Sequence, residues 1–516
     1  MKKIFAIILT LCLMASAFCI TSFAAEATDK LPEPAEGTLL RVTAIKGDET
    51  VLVGDYTNFE DGWHAAIKES TPRYSKWTGY ERTIIDFYAD WTSANDGNFT
   101  DDGALENNRL GFDNDTIEIP DDVKITINLN GHTIKRVLPE SISDGEVIYI
   151  DEDADVIINN GTITGGKSTN GAGGIHIHDA HVMLNNVHIE GNVADGDDGG
   201  GIALYDDATL IMKGGSFKNN VIVGSSWNAN FQCYGGAVYV NSSKASFEDV
   251  EFKNNNVEND ENFGTAIYAD DSDIVIKNCT FDGNGLEDDA KNFMTALSII
   301  HGEDSTIQVE KSTFTNNCSG YVSANVGLKK FYSSIFIIED GELYISDNCK
   351  FSNNNAHFLL FARQDAGIYV SDTSFTDNKA MVMRSVSANY DDNYFKNCTF
   401  NNNKMTSEQK TFVEYKGEAF DITINSTSDD VRLVFENCDL GDSVFKEIQF
   451  GHIKFVDCTN APKIPNGIGS LFGEGSLTMV ISLLAFIVSV AAFSVNISAN
   501  KAKKVVAVKE KDAEEE

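Results

Sequence analysis

An apolar residue followed three positions later by asparagine recurs through the middle of this chain. The pairs are Ile189 and Asn192, Phe217 and Asn220, Phe252 and Asn255, Phe281 and Asn284, Phe314 and Asn317, Phe351 and Asn354, Phe375 and Asn378, and Phe400 and Asn403. The intervals between these anchors are irregular, but the residues around each anchor are not. Seven and five positions before the anchor sit apolar residues, as in Val182 and Leu184, Leu210 and Met212, Ile274 and Ile276, and Ile307 and Val309. The unit at Phe351 runs one residue out of phase, with Leu343 and Ile345. Two positions before the anchor sits a small or thin side chain, among them Val187, Gly215, Ser312, Cys349 and Cys398. A period of two buries one face of a strand. Each unit therefore holds a strand, a tight bend and a second strand ending at the anchor. A third strand precedes them, at Ile175 to Ile177, Ile202 to Leu204, Val238 to Val240 and Ile267 to Ala269. Glycine pairs lead into several of these. Short strands repeated unit after unit do not close as hairpins. They stack in parallel on their counterparts in the next unit and wind into a coil.

On that coil, the asparagines at one offset (Asn192, Asn220, Asn255, Asn284, Asn317, Asn354, Asn378 and Asn403) form one row, about 4.8 Å per step. Such a row predicts a hydrogen-bonded ladder along the axis. Asparagine also tolerates the left-handed backbone that a turn after each anchor requires. Beyond the N-terminal apolar segment the cysteines are Cys233, Cys279, Cys318, Cys349, Cys398, Cys438 and Cys458. Their odd number argues against a full disulfide framework. Five of them, from Cys279 and Cys349 through Cys458, take the thin inward position, where a thiol acts as a small hydrophobe.

The segments GGIHIHD, GGIALYD and YGGAVYV, together with FKNN, FDGN, FTNN, FSNN, FTDN and FNNN, resemble the repeats of polymorphic outer-membrane adhesins and adhesin-like surface proteins. The resemblance covers about Val123 to Thr459. It implies an all-β chain built on a right-handed single-stranded parallel β-helix, a pectate-lyase-like solenoid of about 11–12 coils. It also implies an adhesin-like cell-surface role. Against that resemblance, a single membrane helix rather than the C-terminal outer-membrane barrel of those adhesins is expected after the coil.

The ends carry signals of their own. Lys2 and Lys3, an apolar stretch from Ile4 to Ile20 and Ser22-Phe23-Ala24 read as a secretory signal over residues 1–24. Residues 26–121 are expected to cap the coil, with a short amphipathic helix at Asp61 to Ile67 and a strand at Thr83 to Tyr88. The β-helix proper is expected over residues 122–460, and a linker rich in glycine and proline over 461–476. Residues 477–497 contain no charge and are long enough to span a bilayer. Lys501, Lys503 and Lys504 then place the short tail, 498–516, on the cytoplasmic side. The expectation is a single-pass protein of the cell membrane with its N-terminal part extracellular. A formal charge of -38 disfavours a nucleic-acid partner.

No catalytic motif stands out. Arginine is absent from Val137 to Ala362, and Arg363, Arg384 and Arg432 lie late and apart. The residues between the inward positions of the third strand are more informative. Tyr149, His176, Ala203, Tyr239 and Tyr268 are expected to point outward, followed by Asp151, His178, Tyr205, Asn241 and Asp270. Tyr149, His176, His178, Tyr205, Tyr239 and Tyr268 thus form a candidate strip for sugar rings. Exposed sheets favour tyrosine in any case, so the same residues also fit a purely structural stack. His176 and His178, with Asp179 and His181 near, make a metal site conceivable. Asp195, Asp197 and Asp198 make a loop that could take Ca2+. The favoured expectation is a non-enzymatic protein that binds glycan or a host or neighbouring cell surface. A polysaccharide lyase or epimerase acting on acidic polysaccharide is one alternative, and a structural envelope spacer another.

Overall fold

The computed structural model describes residues 31–93, 112–113, 116–137, 145–169, 171–223, 234–258, 263–285, 298–317, 333–387, 393–406, 422–424, 433–447 and 453–461. The expected signal, membrane span and tail lie outside the described residues, as do Cys233 and Cys318. Among the described residues no helix is long and apolar enough to cross a membrane.

The described strands are overwhelmingly parallel and fall into three sheets. One coil illustrates the path. Ile175–His178 lies in the second sheet and pairs with Ile148–Ile150 before it and Ile202–Tyr205 after it. The chain turns at Asp179 and enters the main sheet as His181–Glu190, bent at Asn186. Residues 181–190 pair in register with Asp155–Thr164 and Thr209–Lys218. After a turn at Gly191, Val193–Asp195 adds to a short third sheet, which the sequence pattern left unseen. The next glycine pair then starts the following coil. A Cβ on Gly200 would lie 2.2 Å from the Gly236 carbonyl oxygen, and one on Gly174 2.3 Å from that of Gly201. At these two positions glycine is what lets the neighbouring coil approach so closely.

The anchors stack inside the coil. From Phe217 through Phe252, Phe281, Phe314, Phe351, Phe375 and Phe400, successive ring centroids lie 5.0, 4.5, 4.6, 4.7, 4.9 and 5.2 Å apart. Every ring is buried. Full burial of such a ring contributes about 2–3 kcal/mol, and stacking adds about 1 kcal/mol. Cys279, Cys349, Cys398 and Cys438 are buried free thiols in the adjoining column, and Cys458 is partly covered. Burial pushes the Cys279 thiol up to about 12 and that of Cys349 to about 11, so neither is a thiolate at neutral pH.

The asparagine row divides its two expected tasks between neighbours. Asn192, Asn220, Asn255, Asn284, Asn317, Asn354, Asn378 and Asn403 point inward and are buried. Each amide nitrogen from Asn192 to Asn378 donates to the next amide oxygen, over 2.7 to 3.2 Å. Each also reaches back to an anchor carbonyl, as Asn284 does to Phe252 over 2.9 Å. The left-handed residue is instead the one before: Gly191, Asn219, Asn254, Gly283, Asn316, Asn353, Asp377 and Asn402. An inward side chain needs ordinary backbone, so the turn is made one position earlier. The unit at Phe351 absorbs its extra residue in the bend, where Asp347 and Asn348 are both left-handed.

The N-terminal segment differs in detail from its expectation. The helix runs Phe59–Ser70, longer than expected, and a second helix, Pro72–Thr78, follows it. The strand Arg82–Phe87 pairs in parallel with Lys124–Asn128. The parallel ladder therefore starts well before residue 122. On its other side Leu40–Lys46 runs antiparallel to Arg82–Phe87 and forms a hairpin with Glu49–Tyr56. Reversing strand direction ends the parallel stack. Asn58 caps the Phe59–Ser70 helix by accepting from the Asp61 N–H over 2.8 Å. The helix turns Phe59, Trp63, Ala66 and Ile67 inward, where Phe59 stacks on Trp91 at 4.1 Å.

Candidate functional site

The second sheet brings the expected strip together. Register places Tyr149, His176, Ala203, Tyr239, Tyr268 and His301 in one outward column. Ala203 leaves a gap, and Tyr205 from the neighbouring column leans into it. The rings from Tyr149 through His176, Tyr205 and Tyr239 to Tyr268 then lie 4.8, 5.0, 5.4 and 5.8 Å apart. Tyr268 stacks on His301 at 4.9 Å.

The strip is not an open platform. Tyr239 is 8% exposed and Tyr268 4%. The segments preceding the strands fold back over them: Tyr234 stacks on Tyr268 at 4.2 Å and Phe263 lies beside His301 at 4.6 Å. Tyr149, His176, His178 and Tyr205 remain half-buried. Tyr239 and Tyr268 lie stacked at 15°, while Tyr149, His176, Tyr205 and Tyr239 are tilted against one another by 36 to 52°, so the strip offers ring edges and hydroxyl groups rather than a flat run of faces. Tyr234 precedes the glycine pair in YGGAVYV and Phe263 precedes Gly264. An aromatic residue just ahead of the corner glycine is the sequence signal for this cover.

Burial sets the protonation of the strip. It pushes the Tyr149 hydroxyl up to about 12, and raises Tyr205, Tyr239 and Tyr268 as well. His176 is driven down to about 4 by desolvation, with His178 adding to the effect, so it is neutral. Its Nδ1 is buried without a hydrogen-bond partner. His178 instead sits between carboxylates, 3.4 Å from Asp151 and 3.1 Å from Asp206. The two imidazoles thus have different surroundings and do not converge.

Nor do the three aspartates converge. Asp195 pairs with Lys167 at 3.3 Å. Asp197 accepts from the Asp198 N–H over 2.8 Å, and Asp198 from the Tyr234 N–H over 2.6 Å. Desolvation, with Asp197 adding to it, pushes the Asp198 carboxyl up to about 7. Among the described residues no group of three or more His, Cys, Asp or Glu is arranged to hold a metal ion.

Beyond Tyr268 the same face carries on past the expected Asp270 to His301, Glu303 and Glu339, which the sequence did not flag. Asp270, Glu303, Glu339 and Arg363 form the second outward column. The Tyr268 hydroxyl donates to Glu303 over 2.8 Å. Arg363 and Gln364 both donate to Glu339. His301 is buried and driven to about 3 by desolvation, with Arg363 adding to the shift. Its Nε2 lies 3.8 Å from Glu339, and its Nδ1 has no partner. Arg363 and Arg384 are not apart: they lie on adjacent coils, with their guanidinium groups 5.9 and 5.5 Å from the Phe361 ring. Aligning Ile300 and Gly302 with Ile267 and Ala269 would have placed His301 below Tyr268.

The protein family described as a right handed beta helix region matches residues 101–329. This chain carries a right-handed parallel β-helix. No curated protein and no solved structure matches the chain. The family description names an architecture, and such architectures carry unrelated functions.

Proposed function

We propose that the protein is a membrane-anchored, extracellular β-helix protein whose second-sheet strip binds glycan without catalysis, in an adhesin-like role. The signal-like residues 1–24 and the apolar residues 477–497 support the anchoring, and the aligned strip supports the binding. The observation that carries the reading is the unbroken row from Tyr149 to Tyr268, with polar tips at each coil. A linear polymer running along the coil axis meets one row of side chains spaced about 4.8 Å apart, reached most openly at Tyr149, His176 and Tyr205 because Tyr239 and Tyr268 are covered. The test is a glycan array probed with the full-length protein. Tyr149→Ala combined with Tyr205→Ala, the half-buried members, is expected to abolish the signal. A signal that survives in a folded variant would sink the proposal.

One observation favours a second reading, a carbohydrate-active enzyme. The Asp198 carboxyl near 7 lies beside Tyr205 and Tyr239, and such a group suits acid–base chemistry at neutral pH. Turnover of any array glycan, lost in Asp198→Asn, would replace the binding reading with this one.

A further inference from the structure

We propose that the strip continues past Tyr268 to His301, Glu303 and Glu339, and that its ligand is an uncharged, hydroxyl-rich glycan rather than an acidic polysaccharide. This inference rests on the glycan-binding reading and narrows it. The outer face offers acceptors. Asp270, Glu303 and Glu339 occupy successive positions of one column. The His301 imidazole is held by Tyr268 on its face and Phe263 at its edge. It is 2% exposed, and its Nδ1 is buried without a partner. With Nε2 facing the Glu339 carboxylate the proton of the neutral ring sits on Nε2 and Nδ1 is left as the acceptor; a buried acceptor left unpaired is costly, so a donor belongs there. Arg363, the guanidinium of this column, is already committed to Glu339.

A ligand that meets this surface must therefore bring donors. Sugar hydroxyls do, and once hydrogen-bonded they cost far less to bury than a charged group. An ammonium group also donates, but carrying its charge to a buried nitrogen is expensive. A uronate would bring carboxylates against Asp270, Glu303 and Glu339 on a chain of formal charge -38. Burial raises the Asp270 and Glu339 carboxyls, which further suits neutral hydroxyl partners.

The experiment measures binding of the full-length protein to neutral glucan, xylan and mannan oligosaccharides, to polygalacturonate and alginate, and to oligolysine. Neutral oligosaccharides are expected to bind and the uronates not to. His301→Phe keeps the stacked ring but removes Nδ1, and should weaken binding about tenfold or more. Should that variant fail to fold, Glu303→Gln, which keeps an acceptor for Tyr268, is expected to weaken it likewise. Binding of uronates as tight as that of neutral sugars would overturn this inference while leaving the glycan reading intact. So would unchanged affinity in a folded His301→Phe, which would leave Nδ1 to a trapped water. Binding of oligolysine alone, or of nothing, would overturn both.

Discussion

Asn254 and Asn255 show how finely neighbouring residues divide their work. Asn254 has φ 52° and makes the turn, while Asn255 is buried and makes the ladder. Both are asparagine because the left-handed backbone and the amide ladder each favour that side chain, so composition alone did not separate them. Asp198 is the other instructive residue. Its folded pKa, near 7, lies above the ordinary carboxyl value of 3.8. A group raised in this way contributes stability that is fully present below the unfolded value. That contribution is lost as pH rises through about 7. Asp198→Asn is therefore expected to raise the melting temperature at pH 8 and to leave it nearly unchanged at pH 4. Equal shifts at both values would mean that the carboxyl carries no burial penalty. The adjacent Asp197 adds to the shift, but its larger cause is burial of Asp198, which DGDDGG by itself does not announce.

At the scale of the repeating elements, the ladder and the phenylalanine stack run side by side through the coil. Asn284 accepts from the Asn255 N–H and amide over 3.1 and 3.0 Å and donates to Asn317 over 3.0 Å. Asn284→Ala leaves those buried partners unpaired, and we expect a loss of about 3 kcal/mol. Asn254→Ala disturbs only a left-handed turn, at about 1–2 kcal/mol. Chemical denaturation of the two variants checks the order, and a ladder variant no worse than the turn variant would refute it. The strand pattern and the ladder were legible because each unit repeats the same offsets. The short third sheet was not. Its inward residues, Ala194, Ile222 and Val257, come one to a strand and make no alternation to read.

At the largest scale the described coils form a stack in which each contacts chiefly its neighbours, so its ends need separate solutions. At the N-terminal end the hairpin reverses strand direction and the Phe59–Ser70 helix closes the core. Trp63 is fully buried there, and its indole N–H donates to the Glu118 carbonyl over 3.2 Å. We expect Trp63→Ala to cost about 3–5 kcal/mol and to promote end-to-end association by loosening the cap. Light scattering during thermal melting would check this, and a variant that melts with the parent and stays monodisperse would count against a capping role.

The amino-acid sequence alone determined which residues face the core, because inward columns follow from a period of two and a constant offset. Phe281 and Cys279 were readable in this way, whereas Asn284, at an odd offset from its anchor, is turned inward by the left-handed Gly283 before it. Only the tertiary structure decided what happens outside the coil. Tyr239 and Tyr268 point outward as their spacing requires, yet Tyr234 and Phe263 cover them. Arg363 and Arg384, separated along the chain, share one ring because they sit on adjacent coils. The side on which a residue emerges is a local property of its strand. Whether water reaches it depends on segments that arrive from other coils, and no periodicity encodes those.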